Sequence, residues 1–409
     1  MKGLRSSLLA LLTTLLPTAS LLTASLLGQT PPPSPPRFPN GLPTDPAWFP
    51  LAVWLQAPAN ATRYRELGIN LYVGLWNGPT AEQLTELERV GMPVICHQND
   101  VGRAHAGKAI VGWMHNDEPD NAQARRRDGY APPIAPAKVV ADYEAVRKLD
   151  PTRPVLLNLG QGAAWDGWHG RGERSGHAED YPEYLKGCDL GCFDIYPVTH
   201  PHHDVAGKLG FVGRGVQRLR RWTRDQKPVW ACIETGHVAN ATVRPTPEQV
   251  RTEVWMAIAC GASGIVYFCH EFAPQFAEAG LLAHADIVAA VTAIDAEVLA
   301  AAKVLNSPRC DERLAVAATD GNGKPVADAI AVRAHEVDGV LHLFTASLHE
   351  GPLRAAFTVH GADDAAGGAP GGASGAVEVV GAATTLPRRG GTFTDTFAAH
   401  GIRHYRLRR

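Results

Sequence analysis

From Phe49 onward the chain alternates short apolar runs with segments of helical periodicity, the pattern of parallel strands joined by crossover helices. The apolar runs predict strands over Phe49–Leu55, Asn70–Leu75, Pro93–His97, Ile110–Met114, Pro154–Leu159, Phe193–Pro197, Pro228–Ile233 and Gly264–Phe268. Helical spacing falls between several of them, over Thr80–Val90, Pro136–Leu149, Val212–Asp225 and Thr246–Cys260. Thr80 and Thr246 read as N-caps, each followed by a carboxylate or amide in the first turn. The crossover from His97 to Ile110 is too short for a full helix, and a helix over His284–Leu305 would close a ring. Eight such units fit a closed (β/α)8 (TIM) barrel better than an open doubly wound sheet. No Gly-rich phosphate loop follows any strand, which also weakens a nucleotide-binding reading.

After Asn306 the pattern becomes that of a small antiparallel β-sandwich. Strands are predicted at Leu314–Ala318, Ala329–His335, Val340–Ala346, Arg354–His360, Ala376–Val380 and His404–Leu407, with turns at Asp320-Gly321 and Asp338-Gly339. The Gly/Ala-rich stretch 361–375 reads as a loose loop. At the other end, Lys2 and Arg5 precede a leucine-rich stretch from Leu8 to Leu27 that is followed by small residues, the form of an export signal. Pro17 and several threonines break that stretch, so stable membrane insertion is not expected. The expected organisation is a signal peptide over 1–29, a Pro-rich linker over 30–46, a barrel over 47–305 and an accessory β-sandwich over 306–409, in a secreted or periplasmic protein.

Composition narrows the partners. With 39 Lys and Arg against 41 Asp and Glu, the chain has no basic excess of the kind a nucleic-acid binder needs. Its seven cysteines leave at least one unpaired; Cys232, Cys260 and Cys269 lie in apolar runs and read as core, while Cys188 and Cys192 could form a disulfide.

In a barrel of this kind the residues just past each strand's C-terminal end line the active face. The fourth run leads into His115-Asn116-Asp117-Glu118-Pro119-Asp120, and the seventh into Ile233-Glu234-Thr235-Gly236. Each sets a glutamate where a strand meets its loop. Such a pair suits cleavage of a glycosidic bond, in which one carboxyl must be protonated and the other ionised. Burial near Trp113 or Trp230 would raise a carboxyl pKa in the required direction. Other strand ends carry Trp54, Trp76 and Asn77, His97 and Asn158, and the loop 160–180 carries Trp165, Trp168 and His169. Aromatic rings and amides suit the flat C–H faces and hydroxyl rims of sugars, although any one tryptophan fits core packing equally well. Trp54, Trp76, Asn77, His97, Asn116, Asp117 and Glu271 are the expected substrate-binding residues, and Glu271 is also the rival nucleophile.

Residues 47–305 resemble the large clan of retaining glycoside hydrolases with catalytic glutamates on barrel strands four and seven. The resemblance implies Glu118 as acid/base and Glu234 as nucleophile. It places Tyr196, in Asp194-Ile195-Tyr196-Pro197, beside the nucleophile and among the substrate-binding residues. The expected function is retaining hydrolysis of a β-linked oligo- or polysaccharide, with no cofactor; the resemblance bears on the mechanism more than on the substrate. Asp117 stands where the clan has Asn, with Asn116 one place earlier. Two further readings stay open: a non-catalytic carbohydrate-binding protein on a degenerate barrel, and a metal-dependent hydrolase using His97, His115 and His200, His202 and His203. The spacing of those histidines fits a polar loop better than a metal site, so no metal is expected.

Overall fold

The computed structural model describes residues 37–105, 107–125, 128–360 and 375–408. The expected export signal, residues 30–36 of the Pro-rich linker and nearly all of the Gly/Ala-rich stretch lie outside the described residues.

Eight parallel strands close into a barrel: β1 (Leu51–Trp54), β2 (Leu71–Val73), β3 (Val94–His97), β4 (Ile110–Met114), β5 (Val155–Leu159), β6 (Leu190–Phe193), β7 (Val229–Glu234) and β8 (Ile265–Phe268). Each pairs with its neighbours in sequence, and β1 closes the ring on β8 with Leu51 opposite Ile265. Alternation along the strands splits the core in two. Ala52, Leu156, Cys192, Trp230, Cys232 and Val266 fill the barrel interior, while Val53, Leu157, Ala231 and Ile233 pack outward on the helices.

The helices are α1 (Ala61–Glu66), α2 (Ala81–Val90), α3 (Asp100–Ala104), α4 (Pro136–Leu149), α5 (Tyr181–Tyr184), α6 (Gly210–Thr223), α7 (Pro247–Ala259) and α8 (Ala285–Leu305). Thr80 and Thr246 form full capping boxes with Gln83 and Gln249, and the third crossover holds only the five-residue α3. The sixth strand lies three residues upstream of its expected start. Leu190 and Cys192 are the residues that fill the barrel interior there, and Pro197, which has no N–H to donate, falls in the loop.

The chain then forms two antiparallel sheets from β9 (Leu314–Asp320), β10 (Ile330–Val337), β11 (Val340–Ser347), β12 (Leu353–Val359), β13 (Gly375–Val379), β14 (Thr385–Arg388), β15 (Thr392–Phe397) and β16 (Ile402–Arg408). Their orders are β9-β12-β15 and β10-β11-β16-β13-β14, and residues of both sheets, among them Phe357, Phe393 and Tyr405, share one apolar cluster. β14 and β15 are absent from the sequence expectation. Pro387 interrupts the first, and the second reads as a threonine-rich polar stretch with only two buried phenylalanines.

This part is tied to the barrel at two points. Trp255 of α7 stacks on Phe344 of β11 at 5.7 Å. The buried Arg333 donates to the carbonyls of Ala262 (2.7 Å) and Leu305 (2.5 Å), just past α7 and at the end of α8, where carbonyls lack helical partners. All seven cysteines are free, so no bond joins Cys188 to Cys192; Cys192 lies instead 3.7 Å from Cys232 across the barrel interior. No helix among the described residues is long and apolar enough to cross a membrane.

Candidate active site

The loop after β4 carries the densest group of carboxylates. Glu118 has a left-handed backbone (φ 42°), a conformation that costs a non-glycine residue energy and persists only where its surroundings enforce it. Those surroundings are on hand. The Glu118 carbonyl accepts from the Asn121 N–H at 3.0 Å and from the Gln123 side chain at 3.3 Å. Its carboxylate Oε2 accepts from Asn121 Nδ2 at 2.7 Å. Next door, Asp120 is fully buried and accepts from the Gly160 N–H (2.9 Å) and the Tyr181 hydroxyl (3.0 Å), which binds the β4 loop to the loop after β5. A Cβ at Gly160 would stand 2.7 Å from Asn121 Nδ2 and 2.8 Å from Glu118 Oε1, so any larger residue there would push these two side chains from their present places.

Asp194 follows directly on β6 and is 7% exposed. Its carboxyl meets that of Glu118 in a side-chain hydrogen bond, and its Oδ2 accepts from the Tyr196 hydroxyl at 3.2 Å. No donor reaches Oδ1 among the described residues. Burial and then the Asp194 and Asp117 charges hold the Glu118 pKa well above the carboxylate range, and burial with the Asp117 charge raises that of Asp194. The pair therefore keeps a proton at neutral pH. Asp117 is exposed toward the mouth and accepts from Asn158 Nδ2 at 2.9 Å. The protein packed around it pushes its pKa up to about 6, against the hydrogen bond from Asn158, so it is largely ionised at neutral pH.

Glu234 is different. It ends β7 on the row of Trp230 and Cys232, yet has no exposed surface. Its two oxygens accept from the backbone N–H groups of Val198 (2.6 Å) and Thr199 (3.0 Å) in the loop after β6. Burial raises its pKa against those bonds. Behind it, on α7, Glu253 is fully buried with no hydrogen-bond partner for either oxygen among the described residues, and the charge of Glu234 adds to the burial that raises its pKa.

The other expected residues divide. Tyr196 is 8% exposed and joins the carboxylate cluster through Asp194. Asn116 is exposed beside His97, whose half-buried ring keeps Nε2 without a partner and has its pKa lowered by burial. Trp54 belongs to the barrel-interior core. Glu271 is bonded to His284 (2.8 Å) and to the His237 N–H (2.9 Å). Burial opposes its ionisation, but these donors hold its pKa below the ordinary range, as in a structural ion pair.

Trp76 and Asn77 are exposed on the loop after β2, and Trp76 stacks on His270 at 5.6 Å. That contact begins an aromatic wall that the sequence reading missed apart from Trp76. His270 also lies 5.7 Å from Phe276 and 6.1 Å from Phe272, both more than half exposed. Phe268 joins His270 (5.0 Å) to Tyr196 (4.9 Å), so the wall reaches the carboxylate cluster. Its sequence signal was the repeated Phe and His after the eighth strand. Asp194 and Asn121 also went unassigned: the first sat inside a misplaced strand, and the second touches Glu118 only through its loop's conformation.

The histidine cluster does not converge as a set. His200 is bonded to Gln161 at 2.7 Å, which leaves the half-buried His202 with the exposed His203 and Asp204 as a group with ligand atoms within 4.8 Å. A cavity of about 820 Å³ lies elsewhere, between α7, α8 and the five-stranded sheet, lined by Arg251, Trp255, Phe344 and His404 among others.

No protein-family model matches the chain, and no curated protein matches it. Among solved structures it is similar to a family 30 subfamily 8 xylanase from Clostridium acetobutylicum (11% identity, TM-score 0.40, 88% of this chain and 96% of that one). It is also similar to an Anoxybacillus α-amylase (7% identity, TM-score 0.39, 90% and 99%). A third is a GH2 β-galacturonidase from Eisenbergiella tayi (15% identity, TM-score 0.38), of which the chain spans only 47% while 59% of this chain is covered. These likenesses are weak in sequence and in structure, and they leave substrate and mechanism to the site itself.

Proposed function

We propose that the protein is a glycosidase in which Glu118 delivers the proton to the leaving glycosidic oxygen. One arrangement carries this reading: Glu118 and Asp194, both held above the ordinary carboxylate range by burial and neighbouring charge, stand beside the exposed carboxylate of Asp117 at the C-terminal ends of β4 and β6. Glycosidic cleavage needs a neutral acid and an ionised carboxylate at one bond, and here burial separates the two states. Asp117 is the group that faces the sugar as an anion, either attacking the anomeric carbon or activating water. The aromatic wall of Trp76, Phe272 and Phe276 supplies flat faces for pyranose rings.

The finer expectation is retaining hydrolysis of a β-linked chain with Glu234 as nucleophile. It requires the loop at Val198 and Thr199 to release the Glu234 oxygens when substrate binds. A carbohydrate-binding protein without turnover is the second reading, and the enclosure of Glu234 favours it. The test is hydrolysis of a polysaccharide and aryl-glycoside panel by the full chain, with Glu118→Gln alongside and proton NMR of the first-formed anomer. Turnover lost in Glu118→Gln supports the glycosidase. Sugar binding with no turnover by the parent hands the case to the binding protein.

A further inference from the structure

We infer that Trp168 and Asn121 are positioning residues that fix which oxygen of Glu118 holds its proton. The inference rests on Glu118 being the acid of the proposed reaction. An indole N–H can only donate, and Trp168 Nε1 lies 2.8 Å from Asn121 Oδ1. That contact settles the orientation of the Asn121 amide, because a flipped amide would set N–H against N–H. The amide nitrogen is therefore the atom facing Glu118 Oε2 at 2.7 Å, and it too can only donate. Oε2 is thereby made an acceptor, and on neutral Glu118 the proton sits on Oε1.

The relay is built to hold. Gln123 Nε2 bonds the Asn121 carbonyl at 2.8 Å, and the Ala122 N–H bonds the Gly170 carbonyl at 2.9 Å, next to Trp168 in the β5 loop. Gly160 leaves the space that both Asn121 Nδ2 and Glu118 Oε1 occupy. An acid whose proton can hop between two oxygens presents it to the leaving group only part of the time. Here one oxygen is reserved as acceptor before substrate arrives, the preorganisation that general acid catalysis rewards.

The test is a carbon-13 NMR titration of carboxyl-labelled glutamate in the full chain, with Glu118→Gln identifying the Glu118 resonance. Trp168→Phe keeps the ring and removes only the N–H. Asn121 is then free to turn its Oδ1 toward Glu118 and accept the acid's proton, which stabilises the neutral form. The Glu118 titration should move up by about one pH unit. Merely loosened loops would admit water and move it down, so a downward or absent shift overturns the relay.

Activity gives a second readout. Trp168→Phe should lower kcat about tenfold at little change in KM on a 4-nitrophenyl glycoside. On a 2,4-dinitrophenyl glycoside, whose leaving group needs no proton, that loss should disappear; a loss that persists there also overturns the relay. Full activity of Glu118→Gln on ordinary glycosides would instead remove Glu118 as the acid on which the relay depends, whatever the titration shows.

Discussion

Two strand ends of this barrel carry a glutamate, and the chain treats them in opposite ways. At β4, Glu118 sits on a strained left-handed backbone with its carboxyl against Asp194 and Asp117 open beside it. At β7, Glu234 is sealed in, both oxygens taken by the Val198 and Thr199 amides and the unpartnered Glu253 behind it. Burial raises both pKa values, so a raised pKa alone does not mark a catalytic group. What separates them is the partner and the open face: a second carboxyl and a route to solvent in one case, backbone donors and none in the other. On the proposed reading, the β4 corner moves a proton and the β7 corner holds a loop.

The sharpest way to break this contrast is to neutralise each corner in turn. Glu118→Gln removes the proton donor and should lower kcat on unactivated glycosides by about 10²- to 10⁴-fold. Asp117→Asn removes the exposed anion and should lower it by about tenfold or more, with folding intact because the new amide oxygen can still accept from Asn158. Glu234→Gln should behave otherwise, because a Gln amide would set N–H against the Val198 or Thr199 N–H. It should cost about 2 kcal/mol of stability in urea while kcat stays near the parent value. A collapse of kcat in Glu234→Gln with stability unchanged would restore Glu234 as nucleophile and make the β6 loop a moving part.

Much of this was readable in advance where periodicity and capping decide the structure. The capping boxes at Thr80 and Thr246, the exact span of β4 and the shortened third crossover all follow from local chemistry. What escaped depends on contacts between distant loops. The sixth strand was placed late because the apolar Phe193–Pro197 run hid Leu190 and Cys192, and with the strand went Asp194, the residue that pairs with Glu118. Trp54 read as a possible platform, but its parity on β1 points it into the barrel. Asn121 and Trp168 are 47 positions apart, and nothing in either segment announces their contact.

The pH dependence of activity sharpens the contrast further. On the acid side, kcat/KM should fall as Asp117 takes up a proton near its pKa of about 6. On the alkaline side it should fall as the Glu118–Asp194 pair loses the proton it shares, a macroscopic step that belongs to both groups. Asp194→Asn takes away a charge that helps to raise Glu118, so the alkaline limb should move to lower pH while the acid limb moves far less. A profile in which both limbs stay fixed would detach Asp194 from the acid.

The smallest effect is also the cleanest test of the β7 corner as structure. Glu253 is a carboxyl buried on α7 with no donor among the described residues, and burial first, then the nearby Glu234, raises its pKa. A folded-state pKa raised above the unfolded value of 4.5 fixes the sign. The folded protein binds the proton more tightly than the unfolded chain, so stability is fullest below pH 4.5 and falls as pH rises toward the folded pKa. Glu253→Met has a similar volume and cannot ionise. It should stabilise the protein by about 1–3 kcal/mol at pH 7 and by less at pH 4, read as the urea midpoint at each pH. Loss of stability at pH 7 would mean that Glu253 has a function in the fold that its bare oxygens do not reveal. Loss of activity without loss of stability would tie the β7 corner back to the chemistry.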